Sequence, residues 1–210
     1  IMCGIAGELF YGGEILTEEQ QRNMLNTLKR RGPDSEGAYI NGEVLLLHGR
    51  LAVVDPENGA QPMTHIHNGS EYSIVYNGEL YNTDEIRAEL IALGERFFSH
   101  CDTEVLLRAF CVWGEQCLAK LNGIFAFAIW NAKQGRLFFA RDRMGVKPFF
   151  YIKKEHSFIF ASEIKGLLAH PAIEPVLSYR GISELFYLGP GRTPGCGIFE
   201  GIEELKPGHC

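Results

Sequence analysis

Residues 124–130 read Ile-Phe-Ala-Phe-Ala-Ile-Trp, with no polar position among them. A strand that alternates apolar and polar side chains needs cover on one face; a strand that is apolar throughout needs cover on both. Asn131 to Gly135 supply a turn, and Arg136-Leu-Phe-Phe-Ala140 returns beside the first strand. Phe149 to Ile152 and Phe158 to Ala161 make a second hairpin. Strands of this kind imply two sheets packed together, with amphipathic helices covering the outside. The expected fold class is therefore α+β, in layers.

The rest of the chain supplies those parts. Cys3 to Phe10 reads as a short strand. Thr17 can cap a helix from Glu18 to Arg30, with acids in its first turn, a Met24-Leu25-Leu28 stripe and Gly32-Pro33 as its stop. Asn41-Gly42 predicts a type I′ hairpin turn between 37–40 and 43–47. A further strand is expected from Arg50 to Val54, and another from Tyr72 to Tyr76 after Asn68-Gly69. Helices are expected from Thr83 to about Gly94, from Asp102 through Leu118, briefly within 162–170, and from Ser178 to Leu188. A glycine-rich loop over 189–197 lacks the Gly-Lys-Ser/Thr ending of a phosphate loop.

Composition narrows the function classes. The net charge of −6 repels phosphate backbones, so nucleic acid is not an expected partner. The longest apolar uncharged stretch, Leu121 to Ala132, has 12 residues. A membrane-spanning helix needs about 20, so no membrane partner is expected. Six cysteines without a C-x-x-C pair point to reduced thiols and a cytoplasmic chain.

Four positions could carry chemistry. Cys3 would combine a thiol nucleophile with an α-amine base if the residues before it were removed; otherwise it is a small core cysteine. Arg50, between Leu45-Leu-Leu47 and Leu51-Ala-Val-Val54, needs an anion if buried, and a substrate carboxylate fits its fork. Pointing into solvent, it would need none. Asn77-Gly78-Glu79 is either a turn or a strand end that aims a side-chain amide and a glycine N–H at one oxyanion. Asp102 is either a helix N-cap or a carboxylate for a substrate ammonium. His65-x-His67 and His100-Cys101 lack further ligands at useful spacing, so no metal is expected.

Met2-Cys-Gly-Ile-Ala-Gly7 resembles the start of class II glutamine amidotransferases. Arg31-Gly-Pro-Asp34, Arg50-Leu-Ala-Val-Val-Asp55, Gln61-Pro62, Asn77-Gly-Glu-Leu-Tyr-Asn82, Asp102-Thr-Glu104, Arg141-Asp-Arg-Met-Gly145 and Ser162-Glu-Ile-Lys165 follow in the order seen in the glutamine-hydrolysing asparagine synthetase branch. That resemblance implies the four-layer αββα sandwich of N-terminal nucleophile hydrolases. It implies Cys3 as nucleophile and an oxyanion site at Asn77 and Gly78. It also implies L-glutamine binding by Arg50, by the backbone of Leu51, Ala52, Val53 and Val54, by Glu79 and by Asp102.

The same resemblance divides the chain into an amidotransferase domain, 1–188, and a segment 189–210 leading to a C-terminal synthetase domain. Mg-ATP is expected in that further domain and no cofactor in this one. An isolated piece is expected to show an apolar patch or to self-associate, for example as a homodimer. Ile1 ahead of Met2 would block methionine removal and leave Cys3 without its α-amine. The rivals are a glutaminase domain serving another acceptor, a non-catalytic domain of the same fold, and a thiol-redox or metal protein.

Overall fold

The computed structural model describes residues 2–12, 15–189, 193, 195 and 197–210. In chain order the elements are β1 (Gly4–Phe10), α1 (Glu18–Leu28), β2 (Ser35–Ile40), β3 (Val44–Arg50), β4 (Met63–His67), β5 (Ser70–Leu80), α2 (Thr83–Ala92), α3 (Asp102–Trp113), α4 (Cys117–Lys120), β6 (Gly123–Asn131), β7 (Arg136–Arg141), β8 (Phe150–Lys153), β9 (Ser157–Ala161), α5 (Ile164–Leu168), α6 (Tyr179–Leu188) and β10 (Ile202–Glu204). A 3₁₀ turn over Gly114–Gln116 joins α3 to α4.

One antiparallel sheet has the order β10-β8-β9-β1-β3-β2, and the other has β4-β5-β6-β7. Their inner faces meet through Ile5, Val44 and Leu46 on one side and Val75, Ala126, Ala128 and Trp130 on the other. A row of rings continues that layer: Phe149 stacks on Phe160 with centroids 5.2 Å apart, and Phe139 on Phe158 at 4.9 Å. Met24 and Leu28 of α1 and Leu167 of α5 cover the outer face of the first sheet, over Ala6, Leu45, Leu47 and Ile159. Ile86 and Leu90 of α2 and Val105, Leu106 and Ala109 of α3 cover the second sheet, over Ile74, Tyr76, Phe127 and Ile129. The all-apolar run at 124–130 thus feeds two layers at once, and the layers read α, β, β, α.

Local chemistry sets several boundaries. Thr17 and Gln20 close a reciprocal capping box at the start of α1, worth about 1 kcal/mol. That helix stops at Leu28, two residues before the expected Arg30. Asn68 and Gly69 both take positive φ, 50° and 71°, in the two-residue turn between β4 and β5. Asn41-Gly42 does not make the expected type I′ turn: only Gly42 has positive φ, and the hairpin closes at the Ile40–Leu45 pair.

Three further expectations are corrected. Arg50 to Val54 is not a strand: Arg50 ends β3, and Val53 and Val54 are exposed in a loop. The Asp102 helix breaks at Gly114, whose φ of 58° an α-helix does not tolerate, so Cys117 and Leu118 fall in α4. Asn77-Gly78-Glu79 is neither turn nor strand end but lies inside β5, in unbroken register with Ala126-Phe125-Ile124. The strands β4 and β10 are additions to the expected set. The 189–197 loop includes residues 190–192, 194 and 196, which lie outside the described residues, as do Ile1, Gly13 and Glu14. Among the described residues no helix is long and apolar enough to cross a membrane.

Candidate active site

Cys3 lies one residue before β1, beside the end of β3. Its Sγ accepts from the Leu51 N–H at 3.3 Å and faces the Leu51 carbonyl at 3.6 Å. Arg31 Nε donates to the Cys3 carbonyl at 2.9 Å, which fixes the backbone of the thiol residue. Burial pushes the thiol up from its ordinary value; the Leu51 N–H and the Arg50 charge pull it down, and Asp102 pushes it up. The site is thus more enclosed than a thiol this near the chain start suggests.

The opposite wall is the free edge of β5. Strand β4 pairs with β5 only as far as Ile74, so the edge beyond is open. The Tyr76 N–H donates to Gln61 Oε1 at 2.7 Å, and the Leu80 N–H to Asp102 Oδ2 at 3.2 Å. The two-residue alternation of the ladder turns the Gly78 N–H to the same edge, between them. A Cβ on Gly78 would meet the Ile124 carbonyl at 2.6 Å and the Tyr76 ring at 2.6 Å, so only glycine fits. Asn77, one residue earlier, is 1% exposed, and its Nδ2 has no hydrogen-bond partner among the described residues. A buried amide without a partner is costly, and here it stands on the wall of a cavity.

That cavity, of about 200 Å³, is lined by Cys3, Arg50, Leu51, Val53 and Val54 on one side and by Asn77, Gly78, Glu79 and Asp102 on the other. Nine of the residues singled out from sequence therefore share one space. Ala52 is not on its lining; its N–H donates to Asp34 Oδ2 at 2.8 Å and pins the loop. Arg50 is buried, as the anion-seeking reading requires. Its guanidinium, however, donates to the carbonyls of Val54, Asp55 and Pro56 at 3.4, 2.8 and 2.7 Å. Asp102 is not an N-cap; Cys101 holds that position. Its Oδ2 instead accepts from the Tyr76 hydroxyl at 2.8 Å as well as from Leu80. Burial raises the Asp102 carboxyl above its ordinary range, and these donors oppose the rise.

Tyr76, Gln61 and Lys147 also line the cavity and were not among the sequence candidates. The alternation Tyr76-x-Gly78 along one strand could have pointed to Tyr76. Nothing local marks Lys147. The histidine pair His65 and His67 gains a third group, Glu95, with donor atoms within 4.8 Å of one another. A guanidinium already sits among them: Arg108 Nη1 lies 2.9 Å from Glu95 Oε2 and 3.2 Å from His65 Nε2.

Comparison with known proteins agrees with this architecture. The family model for a glutamine amidotransferase domain matches residues 2–210. The chain is 52% identical over 209 residues to glutamine-hydrolysing asparagine synthetase 3 of Bacillus subtilis, covering 99% of this chain and 34% of that protein. It is 40% identical over 185 residues to a putative glutamine-hydrolysing asparagine synthetase of Methanocaldococcus jannaschii, covering 80% and 35%. The chain therefore spans about a third of the length of the curated relatives it matches. Among solved structures, the glutamine phosphoribosylpyrophosphate amidotransferase of B. subtilis superposes with a TM-score of 0.66 at 21% identity, over 80% of this chain and 43% of that one. That likeness shows a shared fold, in agreement with the four-layer αββα sandwich described above. With a family match spanning all but its first residue, the chain belongs to the glutamine amidotransferase domain family.

Proposed function

We propose that this domain hydrolyses L-glutamine to L-glutamate and ammonia through a thioester on Cys3, and that the ammonia serves an ATP-dependent asparagine synthetase domain of a longer protein. The Cys3 thiolate attacks the side-chain amide carbon of glutamine. The resulting oxyanion lies between the Asn77 amide and the Gly78 N–H. When Cys3 is the first residue, its α-amine takes the thiol proton, passes it to the departing ammonia, and then activates the water that cleaves the thioester. Arg50 holds the substrate carboxylate with the N–H groups not given to the 54–56 carbonyls. Asp102 holds the ammonium, and Glu79 and the backbone of Leu51, Val53 and Val54 complete the pocket, with Ala52 pinning the loop behind them. Demanding both α-groups separates free glutamine from a peptide amide.

The observation that carries this reading is the unpartnered amide nitrogen of Asn77, a residue on the lining of the same cavity as Cys3. A buried donor left open beside a thiol is the arrangement an oxyanion would complete. In this reading Mg-ATP belongs to the synthetase domain and no cofactor to this one. Tyr179, Phe186 and Tyr187 on α6 are more than 80% exposed, which supports a covering partner. That partner is the synthetase domain in the long protein or, for an isolated piece, a second copy in a homodimer. Unpaired thiols at Cys3, Cys101, Cys111, Cys117 and Cys210 support a cytoplasmic setting.

The test is ammonia release from glutamine by protein whose intact mass shows Cys3 as first residue. Cys3→Ala should abolish it while the circular dichroism spectrum stays unchanged. Ammonia release that survives in Cys3→Ala would remove the nucleophile.

A further inference from the structure

Lys147 is the second cation on the pocket lining, beside Arg50. The Arg141-Asp142 pair builds the loop that carries it. Asp142 accepts from the N–H groups of Met144, Val146 and Lys147, and Arg141 donates to the carbonyls of Gly145 and Lys147. The Lys147 backbone is thus held on both sides, its N–H at 3.0 Å and its carbonyl at 2.6 Å. The residue is 6% exposed and lines the cavity beside Cys3. Its Nζ lies 2.7 Å from the Met2 sulphur, a neutral group. Among the described residues it forms no ion pair. A buried ammonium left so is a standing cost, and function is one reason to keep it.

We propose that Lys147 is a positioning residue that sets the ionisation of Cys3, its charge favouring the thiolate and, when Cys3 is the first residue, the neutral α-amine. The proposal rests on the glutaminase reading given above. Met2 is the residue bonded to the Cys3 nitrogen. In protein that begins at Cys3, the ammonium loses the thioether and faces the chain end. A positive charge there favours an uncharged amine over an ammonium and a thiolate over a thiol. The neutral amine is the form that accepts the thiol proton, and the thiolate that results is the form that attacks.

The other charges around the site are held by bonds of their own, and Arg50 also favours the Cys3 thiolate. Arg31 is bound to the Cys3 carbonyl and to Glu163, and Arg50 to three loop carbonyls. Asp102 is held by Tyr76 and Leu80, and Asp142 by the loop N–H groups. Burial, and then the Arg31 charge, push the Lys147 ammonium down from its ordinary value, while Glu79, Cys3 and Asp142 push it up. Cys101, the remaining thiol on the lining, is pushed up by burial.

The test is the pH dependence of iodoacetamide labelling at Cys3, followed by peptide mass mapping, in protein beginning at Cys3. This readout needs no turnover. Burial pushes the Cys111 and Cys117 thiols to about 12, so they stay unlabelled near neutrality. In Lys147→Met the labelling midpoint should move up by about one pH unit, the low end for a nearby charge. Lys147→Arg should restore it. In ammonia release, the acid limb of the kcat/KM profile should move the same way. Superimposable labelling curves for the parent and Lys147→Met overturn the proposal. So does a shift that Lys147→Arg shows equally, because that would reflect packing. A parent that labels with the expected curve but releases no ammonia would overturn the glutaminase reading alone.

Discussion

The Tyr76 hydroxyl donates to Asp102 Oδ2 at 2.8 Å and ties the cavity wall on β5 to the first turn of α3. The Leu80 N–H shares the same oxygen. A carboxylate so anchored cannot swing away from whatever occupies the cavity. Asp102→Asn keeps an oxygen that both donors can use but loses the charge. We expect KM for glutamine to rise about tenfold or more, the range for a charged hydrogen bond, with kcat less affected. Steady-state kinetics beside thermal melts check this. A large fall in Tm with unaltered KM would leave Asp102 a structural residue.

Asn77→Ala removes the partnerless amide. Losing one oxyanion donor should lower kcat by about 10²–10³. Stability should hardly change, because the amide nitrogen that is deleted has no partner among the described residues. If kcat is unchanged, Asn77 is a buried strand residue and nothing more.

Met2 occupies the cavity lining, and its sulphur touches Lys147. Protein retaining Ile1-Met2 has a peptide amide where an amine is needed. It should turn glutamine over at least about 10²-fold more slowly than protein beginning at Cys3, the lower range for losing a general base. Intact mass defines each sample. Equal rates would require a base elsewhere in the pocket.

His48 offers a stability test away from catalysis. It is fully buried on β3, with Nε2 3.2 Å from the Tyr76 carbonyl and Nδ1 without a partner. Burial lowers its pKa from 6.5 to about 4. The unfolded chain binds a proton at 6.5 and the folded one does not until about 4. Stability from this group is therefore intact above pH 6.5, falls between 6.5 and 4, and is lost below. The loss approaches about 3 kcal/mol. Urea unfolding at pH 7 and pH 4.5 should show a smaller drop in His48→Gln than in the parent. Equal drops would place the acid lability elsewhere.

How much of this was legible depended on whether the signal was local. The 124–130 run needed two covered faces wherever it lay, so the layered fold followed from it. Thr17 and Gln20 cap α1 within four residues. Arg50 to Val54 misled because Leu-Ala-Val-Val has strand composition. In the fold Asp34 and Cys3 claim the N–H groups of Ala52 and Leu51, and Asp55 takes a φ of 45°. The edge strand β4 was missed because Ile66 turns outward at 68% exposure. Cys3, Asn77 and Asp102 carried chemistry recognisable by type. Tyr76 and Lys147 matter through partners 26 and 145 residues away, and no window of sequence contains such pairs.

Strand β4 reaches only to Met63, and beyond that pairing β5 runs on for six more residues with β6 as its one strand neighbour among the described residues. A truncated neighbour leaves a vacancy in a sheet, and Gln61 and Asp102 fill it at both ends. Between them remains a gap one amide wide. Whatever enters there is received as a missing length of strand would be. Selection at the gap is therefore for an extended carbonyl with no bulk at its flanks. Inhibitors shaped like a single strand residue, with an electrophilic carbon where the thiol can reach it, should occupy it better than flat aromatic compounds of the same size.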